Sequence, residues 1–134
     1  MYDFYSDTKS MPTNAMLESI VSAPLGDEQK GEDPTTTKLE ARVAELLGKE
    51  AAVFMISGTM CTEIAVRVHC RPGDEVISDT SSHLLNFECG SPAALSAVVL
   101  HPLQGIYGIF GPAEVRSAVR PVSRYMPASH MVSV

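Results

Sequence analysis

Short apolar runs alternate with helix-period segments through the second half of this chain, and that alternation constrains its fold more than any other feature. Ala51-Ala52-Val53-Phe54-Met55-Ile56 is a continuous apolar run. Its length and flanks predict a strand buried on both faces. Ser57-Gly58-Thr59 follows directly, and Met60, Ile64 and Val68 then recur at four-residue steps, so a helix is predicted to begin at that turn. Pro72-Gly73 closes the unit. Glu75–Ser78 and Val98–Leu100 are the next strand candidates, and Met131–Val134 reads as a fourth. Gly111-Pro112 opens a further helix, with Val115 and Val119 on one face and the proline at a favoured first position. Alternating strands and helices predict an α/β domain on a mostly parallel sheet with flanking helices. A parallel strand normally feeds a crossover that covers the sheet, so an end on an apolar strand reads as a cut through a larger domain.

Residues 1–34 read as an N-terminal arm and residues 35–134 as a partial large domain. The arm is broken by Pro24, Gly26 and Gly31 and holds one candidate helix, Asn14–Val21. The acidic residues Asp27-Glu28 and Glu32-Asp33 read as a solvated loop. A helix is predicted over Lys38–Leu47, with Thr37 as N-cap, Glu40 completing a capping box and Gly48 as the stop. Leu39, Val43, Leu46 and Leu47 form an apolar stripe expected to pack into the core.

Composition removes whole classes of function. Ten Lys and Arg against sixteen Asp and Glu give a net charge of −6, the wrong sign for a nucleic-acid footprint. No apolar run approaches the roughly 20 residues of a membrane span, and Met1-Tyr2-Asp3-Phe4 lacks the basic start of a secretory signal. The expectation is a cytoplasmic protein. Cys61, Cys70 and Cys89 form no CxxC pair, so neither a disulfide scaffold nor a zinc site is expected; they read as small core residues.

Two features could carry chemistry. Ser57-Gly58-Thr59 lies where a helix presents unpaired N–H groups and a partial positive charge. Glycine admits an anion to the backbone, and two hydroxyls can add hydrogen bonds, so the turn can hold a phosphate without a lysine. The alternative is a plain capped turn. The segment matches neither the P-loop nor the GxGxxG fingerprint. His83 follows Asp79-Thr80-Ser81-Ser82 after a strand, on the sheet edge where α/β proteins bind ligands. Its ring could stack on a flat cofactor or move a proton; the alternative is a polar loop residue. His69, His101 and His130 show no metal-ligand spacing. The only lysines are Lys9, Lys30, Lys38 and Lys49.

Several segments in order now carry a resemblance. Asp3-Phe4-Tyr5-Ser6-Asp7-Thr8 with Pro12-Thr13, Gly31-Glu32-Asp33-Pro34-Thr35, Leu46 through Ala52, Ser57-Gly58-Thr59-Met60, Pro72 through Ile77, His83 and Ala93-Ala94-Leu95-Ser96 resemble the low-specificity threonine aldolases. These belong to the aromatic amino acid β-eliminating lyase group of enzymes that use pyridoxal 5'-phosphate (PLP). The resemblance implies the fold type I, aspartate-aminotransferase-like large domain, here as an N-terminal portion. It implies cleavage of β-hydroxy-α-amino acids to glycine and an aldehyde, and a homo-oligomer, usually a tetramer, at full length. It assigns Gly58 and Thr59 to the PLP phosphate. His83 is assigned both to the pyridine ring and, as a catalytic residue, to the substrate hydroxyl, and Ser6 to the substrate carboxylate. The cofactor-anchoring lysine, the aspartate facing the pyridine nitrogen and the carboxylate-binding arginines are expected beyond Val134.

The chain departs from the family pattern at three places. Tyr5 stands where arginine is usual, Lys30 where tyrosine is usual, and Tyr125-Met126-Pro127-Ala128-Ser129 where a His-Phe-x-Arg-Thr pattern is frequent. Another PLP-dependent β-eliminating lyase, or a non-catalytic remnant or interaction domain, are the alternative readings.

Overall fold

The strand Glu75–Asp79, β1, lies at the centre of the sheet, and all five of its residues are buried. In the computed structural model, which describes residue 3 and residues 5–134, two further strands flank it: β2, Val99–Leu103, and β3, Ser129–Ser133. Met1, Tyr2 and Phe4, the last of which belongs to the N-terminal motif, lie outside the described residues. Both pairings are parallel, in the order β2-β1-β3, as the alternation predicts. Glu75 faces Val99 on one side and Ser129 on the other, and a register shift follows on the β3 side, where Val76 pairs with Met131. The β2 strand runs three residues past its predicted end, through His101-Pro102. An edge strand tolerates proline because one side of its ladder goes unpaired.

The chain divides into two compact units, Met1–Phe54 and Met55–Val134. The second carries the sheet and four helices: α3, Gly58–His69; α4, His83–Asn86; α5, Ser91–Ser96; and α6, Pro112–Ala118. Val66 and Cys70 from the α3 side, Val76, Leu84 and Val98 form its buried core, with Leu100 and Met131 packed against them. Each such aliphatic side chain contributes about 1.5–3 kcal/mol when fully buried. Only Cys70 is the core cysteine expected; Cys61 and Cys89 are exposed, and all three are free thiols. Neither α4 nor α5 has the length to produce a readable apolar period, so the sequence shows neither. Val119 caps α6 rather than extending its face.

The first unit is built on caps. Thr13 accepts the Met16 N–H at 3.3 Å and starts α1, Asn14–Ser22, close to prediction. The second helix, α2, spans Pro34–Leu47 and begins four residues before its expected start. Asp33, not Thr37, is its N-cap, accepting the Thr36 N–H at 2.7 Å. A carboxylate caps better than a threonine, and Pro34 suits the first helical position. Thr37 instead returns its hydroxyl to the Asp33 carbonyl at 2.9 Å, and Glu40 accepts the Phe54 N–H at 2.8 Å rather than closing a capping box. Asp27 likewise caps a 3₁₀ turn, Glu28–Lys30, so the acidic pair is structural. Gly26 is required by close approach: a Cβ there would sit 2.2 Å from the Glu32 carbonyl oxygen.

Two expectations fail here. The apolar stripe of α2 is not core: Leu46 and Leu47 are 70% and 63% exposed, and only Ala44 of the helix is buried. The run Ala51–Ile56 forms no strand. A strand needs a neighbour for its N–H and C=O groups, and none of the described strands pairs with it. Val53, Phe54 and Ile56 are consequently exposed.

Candidate functional site

The first turn of α3 is set by Ser57, whose extended backbone lets its Oγ accept the Met60 N–H at 3.1 Å. The N–H groups of Gly58 and Thr59 have no acceptor among the described residues, as the opening of a helix dictates. A Cβ at Gly58 would meet nothing within 4 Å, and Thr59 is exposed. The turn therefore presents two free donors, two hydroxyl-bearing neighbours and the positive end of a twelve-residue helix to open space. A phosphate fits that arrangement, with no side chain to displace and no buried cation required.

α3 ends at His69, five residues short of β1. Its last turn thus sits by the amino edge of the sheet, and its first turn points toward the carboxyl edge. His83 arises at that carboxyl edge. The chain leaves β1 at Asp79 and is bound tightly on the way. Asp79 Oδ1 accepts the Ser81 N–H at 2.7 Å and the Ser81 hydroxyl at 2.5 Å, and its Oδ2 accepts the Gly105 N–H at 2.8 Å. The Ser81 hydrogen bonds, then that from Gly105, hold the Asp79 carboxyl below the usual carboxylate range against the opposing effect of burial. Ser82, tied to Ser78 by a 2.7 Å hydroxyl contact, caps α4 by accepting the Leu85 N–H at 3.3 Å. Asn86 donates back to the Thr80 and Ser82 carbonyls at 2.8 and 2.9 Å.

His83 is therefore the first residue of a short, capped helix rather than a loop residue. Its side chain is 64% exposed, but Nδ1 lies 2.8 Å from Oε1 of Glu88, whose side chain is 1% exposed. Phe87 flanks the ring, centroids 5.4 Å apart and planes tilted by 40°. After Glu88 the backbone turns through two left-handed residues, Cys89 at φ 52° and Gly90 at φ 74°. The non-glycine one costs about 1–2 kcal/mol. This bend brings Ser91 back, its N–H 2.9 Å from the Glu88 carbonyl. The Ser91 hydroxyl lies 2.5 Å from that carbonyl and 2.5 Å from Oε1 of Glu63 on α3. Thr59 and Glu63, four apart, share a face of α3.

Of the sequence-predicted residues, Gly58, Thr59 and His83 thus occupy one unit, at the openings of α3 and α4, and polar contacts through Glu88, Ser91 and Glu63 join the two helices. Ser6 belongs to the other unit, half-buried, its Oγ 2.8 Å from Thr8 Oγ1. Lys30 pairs with Asp27 at 3.3 Å, and Tyr5 carries Lys9 over its ring. Sequence reasoning missed Glu88, Ser91 and Glu63. The available signal was an acid one helical turn and a residue beyond the histidine.

The sequence of this chain matches the family described as beta-eliminating lyase over residues 3–134. It is 42% identical over 103 residues to a low specificity L-threonine aldolase of Escherichia coli (strain K12), covering 77% of this chain and 31% of that protein. A probable low-specificity L-threonine aldolase 2 of Arabidopsis thaliana is 45% identical over 101 residues, 75% of this chain and 28% of that protein. Aldolase vrtJ of Penicillium aethiopicum is 43% identical over 110 residues, 79% of this chain and 28% of its own length. The chain thus spans under a third of each of these curated relatives. A match that runs from the N-terminal motif to the last residue, over a parallel α/β sheet, shows that this chain belongs to the β-eliminating lyase family.

Proposed function

We propose that this chain forms the phosphate-side and ring-side portion of a PLP-dependent lyase of fold type I. The reaction is cleavage of a threonine-like β-hydroxy-α-amino acid to glycine and an aldehyde. The observation that carries this reading is the open first turn of α3, with free Gly58 and Thr59 N–H donors and no atom within 4 Å of a Gly58 Cβ. Gly58, Thr59 and the Ser57 and Thr59 hydroxyls hold the phosphate by several charge-assisted hydrogen bonds, each contributing roughly 1.5–3 kcal/mol. When bound, PLP supplies the electron sink for a bond broken at the substrate's α-carbon. His83 would stack on the cofactor ring and take the proton of the substrate hydroxyl, and Ser6 would donate to the substrate carboxylate. None of the four lysines falls within Met55–Val134, the unit that carries Gly58, Thr59 and His83. A cytoplasmic location and a homo-oligomer accompany the reading.

The test is a PLP titration by absorbance, with thermal melts, on the chain joined to the remaining length of a relative. Gly58→Val places a branched side chain over the donors and should weaken PLP binding at least about tenfold, the equivalent of 1.4 kcal/mol. Unchanged affinity ends the phosphate-cradle reading. Tyr5, Lys30 and the Tyr125–Ser129 segment favour a second reading, a related lyase with a different substrate. Comparing threonine with other amino acids as substrates separates the two.

A further inference from the structure

We propose that Glu88 is a positioning residue: its buried carboxylate fixes His83 as the Nδ1–H tautomer and leaves Nε2 as the bare, proton-accepting nitrogen. The functional consequence rests on the role given to His83 above; the geometry does not. Glu88 is 3% exposed, and its Oε1 is 2.8 Å from His83 Nδ1. A carboxylate can only accept, so Nδ1 must carry the proton, and a neutral imidazole has only one to carry. The ring itself remains 64% exposed, so one end is held inside the fold while the ring stays open to a ligand.

Glu88 is held in turn. The left-handed pair Cys89 and Gly90 folds Ser91 back onto the Glu88 carbonyl, with N–H and hydroxyl contacts of 2.9 and 2.5 Å. The same hydroxyl touches Glu63 on α3. Glu63 lies one helical turn beyond Thr59, so the acid that orients the ring is braced against the helix whose first turn offers the phosphate donors. A strained, non-glycine backbone residue directly after a buried acid is maintained only where surrounding contacts over-determine it. Here those contacts converge on the backbone carbonyl of Glu88. The chemical effect is to remove a choice. A histidine free to exchange tautomers presents the wrong nitrogen part of the time, whereas one bonded through Nδ1 keeps Nε2 available for a hydroxyl proton.

The experiment is a long-range proton–nitrogen NMR correlation on the uniformly ¹⁵N-labelled 134-residue chain, at a pH where the ring is neutral. The His83 signals, assigned by their loss in His83→Phe, should show a protonated Nδ1 and a bare Nε2. The preference should be at least about tenfold, equivalent to 1.4 kcal/mol. Glu88→Gln keeps the buried volume but can either accept or donate, so it should bring the two tautomers toward parity while leaving the backbone spectrum otherwise in place. A wild-type ring that is Nε2–H, or an even mixture, overturns the assignment, and that measurement decides even if Glu88→Gln fails to fold. An unchanged tautomer ratio in a folded Glu88→Gln overturns it as well. The readout needs no cofactor. An Nδ1–H ring combined with PLP affinity unaffected by Gly58→Val would defeat the functional reading alone, and the converse pair of results would defeat only this one.

Discussion

The Gly105 N–H donates to Asp79 Oδ2 at 2.8 Å, and the approach is so close that a Cβ on Gly105 would lie 2.6 Å from that oxygen. The same Cβ would lie 2.8 Å from the Ile109 carbonyl oxygen. This contact joins the carboxyl end of β1 to the loop after β2, and Asp79 uses its other oxygen to shape the turn into His83.

Gly105→Ala should therefore destabilise the second unit by about 1–3 kcal/mol, the usual cost of overpacking. The substitution also pushes on the carboxylate that orders Ser81, so the amide signals of residues 80–83 should shift along with the melt. Denaturant titration and a backbone NMR spectrum measure both. Wild-type stability in Gly105→Ala would mean that the Asp79–Gly105 contact is loose.

Leu46, Leu47, Val53, Phe54 and Ile56 all stand more than half exposed. Exposed apolar surface on this scale marks an interaction surface or an aggregation liability. The chain on its own should associate at micromolar concentration, and replacing Val53 and Ile56 by threonine should reduce that association. Sedimentation velocity provides the check. A clean monomer at high concentration would count against it.

The order of α3, β1, β2, α6 and β3 in the second unit was legible because turn and capping residues leave local marks. Ser57 caps α3, Pro72-Gly73 marks the turn before β1, and Gly111-Pro112 opens α6. The failures share a different cause. Leu46 and the run Ala51–Ile56 have core-like composition, but composition cannot say whether a partner surface is present among the same residues. The strand reading of Ala51–Ile56 needed a neighbouring strand, and none of the described strands pairs with it. The Glu88–His83 pair left only the spacing of an acid five residues after the histidine, and nothing in that spacing says that the acid is buried. Glu75 reads as a strand residue, and nothing local reveals that His101, Arg120 and Ser129 converge on it.

That convergence makes Glu75 an acid-sensitive element. Its side chain is fully buried; Oε1 receives His101 Nδ1 at 2.9 Å and the Ser129 hydroxyl at 2.8 Å, and Oε2 receives Arg120 Nε. Burial alone would raise the Glu75 carboxyl, but the hydrogen bonds from His101, Arg120 and Ser129 and the charge of His101 outweigh it and hold it below the usual 4.5. A carboxyl lowered in the folded state stabilises the fold above its unfolded value, and that stability is lost as pH falls through the folded value. Wild-type stability should thus fall on acidification below about pH 4.5, the unfolded glutamate range, and Glu75→Gln should flatten that limb. Glu75→Ala, which strands Arg120 beside a cavity, should cost about 3–5 kcal/mol at neutral pH. Denaturant melts across pH 3–7 decide the matter, and parallel acid limbs in wild type and Glu75→Gln would assign the loss to other carboxylates such as Asp79.

His83→Phe separates ring from proton. Phenylalanine keeps a flat ring of similar size next to Phe87, so whatever stacking His83 contributes to cofactor binding is largely retained. It removes Nδ1, leaving Glu88 without its partner, and Nε2, leaving the substrate hydroxyl without a proton acceptor. In the chain joined to the remaining length of a relative, PLP affinity should change by less than about tenfold. The rate of glycine and aldehyde formation should drop by about 10²–10⁴-fold, the usual span of general acid–base help. Stability will fall somewhat, because a buried, partnerless carboxylate is costly, so the melt must be recorded beside the kinetics. The double variant His83→Phe with Glu88→Leu relieves that buried charge and should recover stability without recovering rate. If the double variant regained the rate, the loss in His83→Phe would be structural, and His83 would have no part in moving the proton.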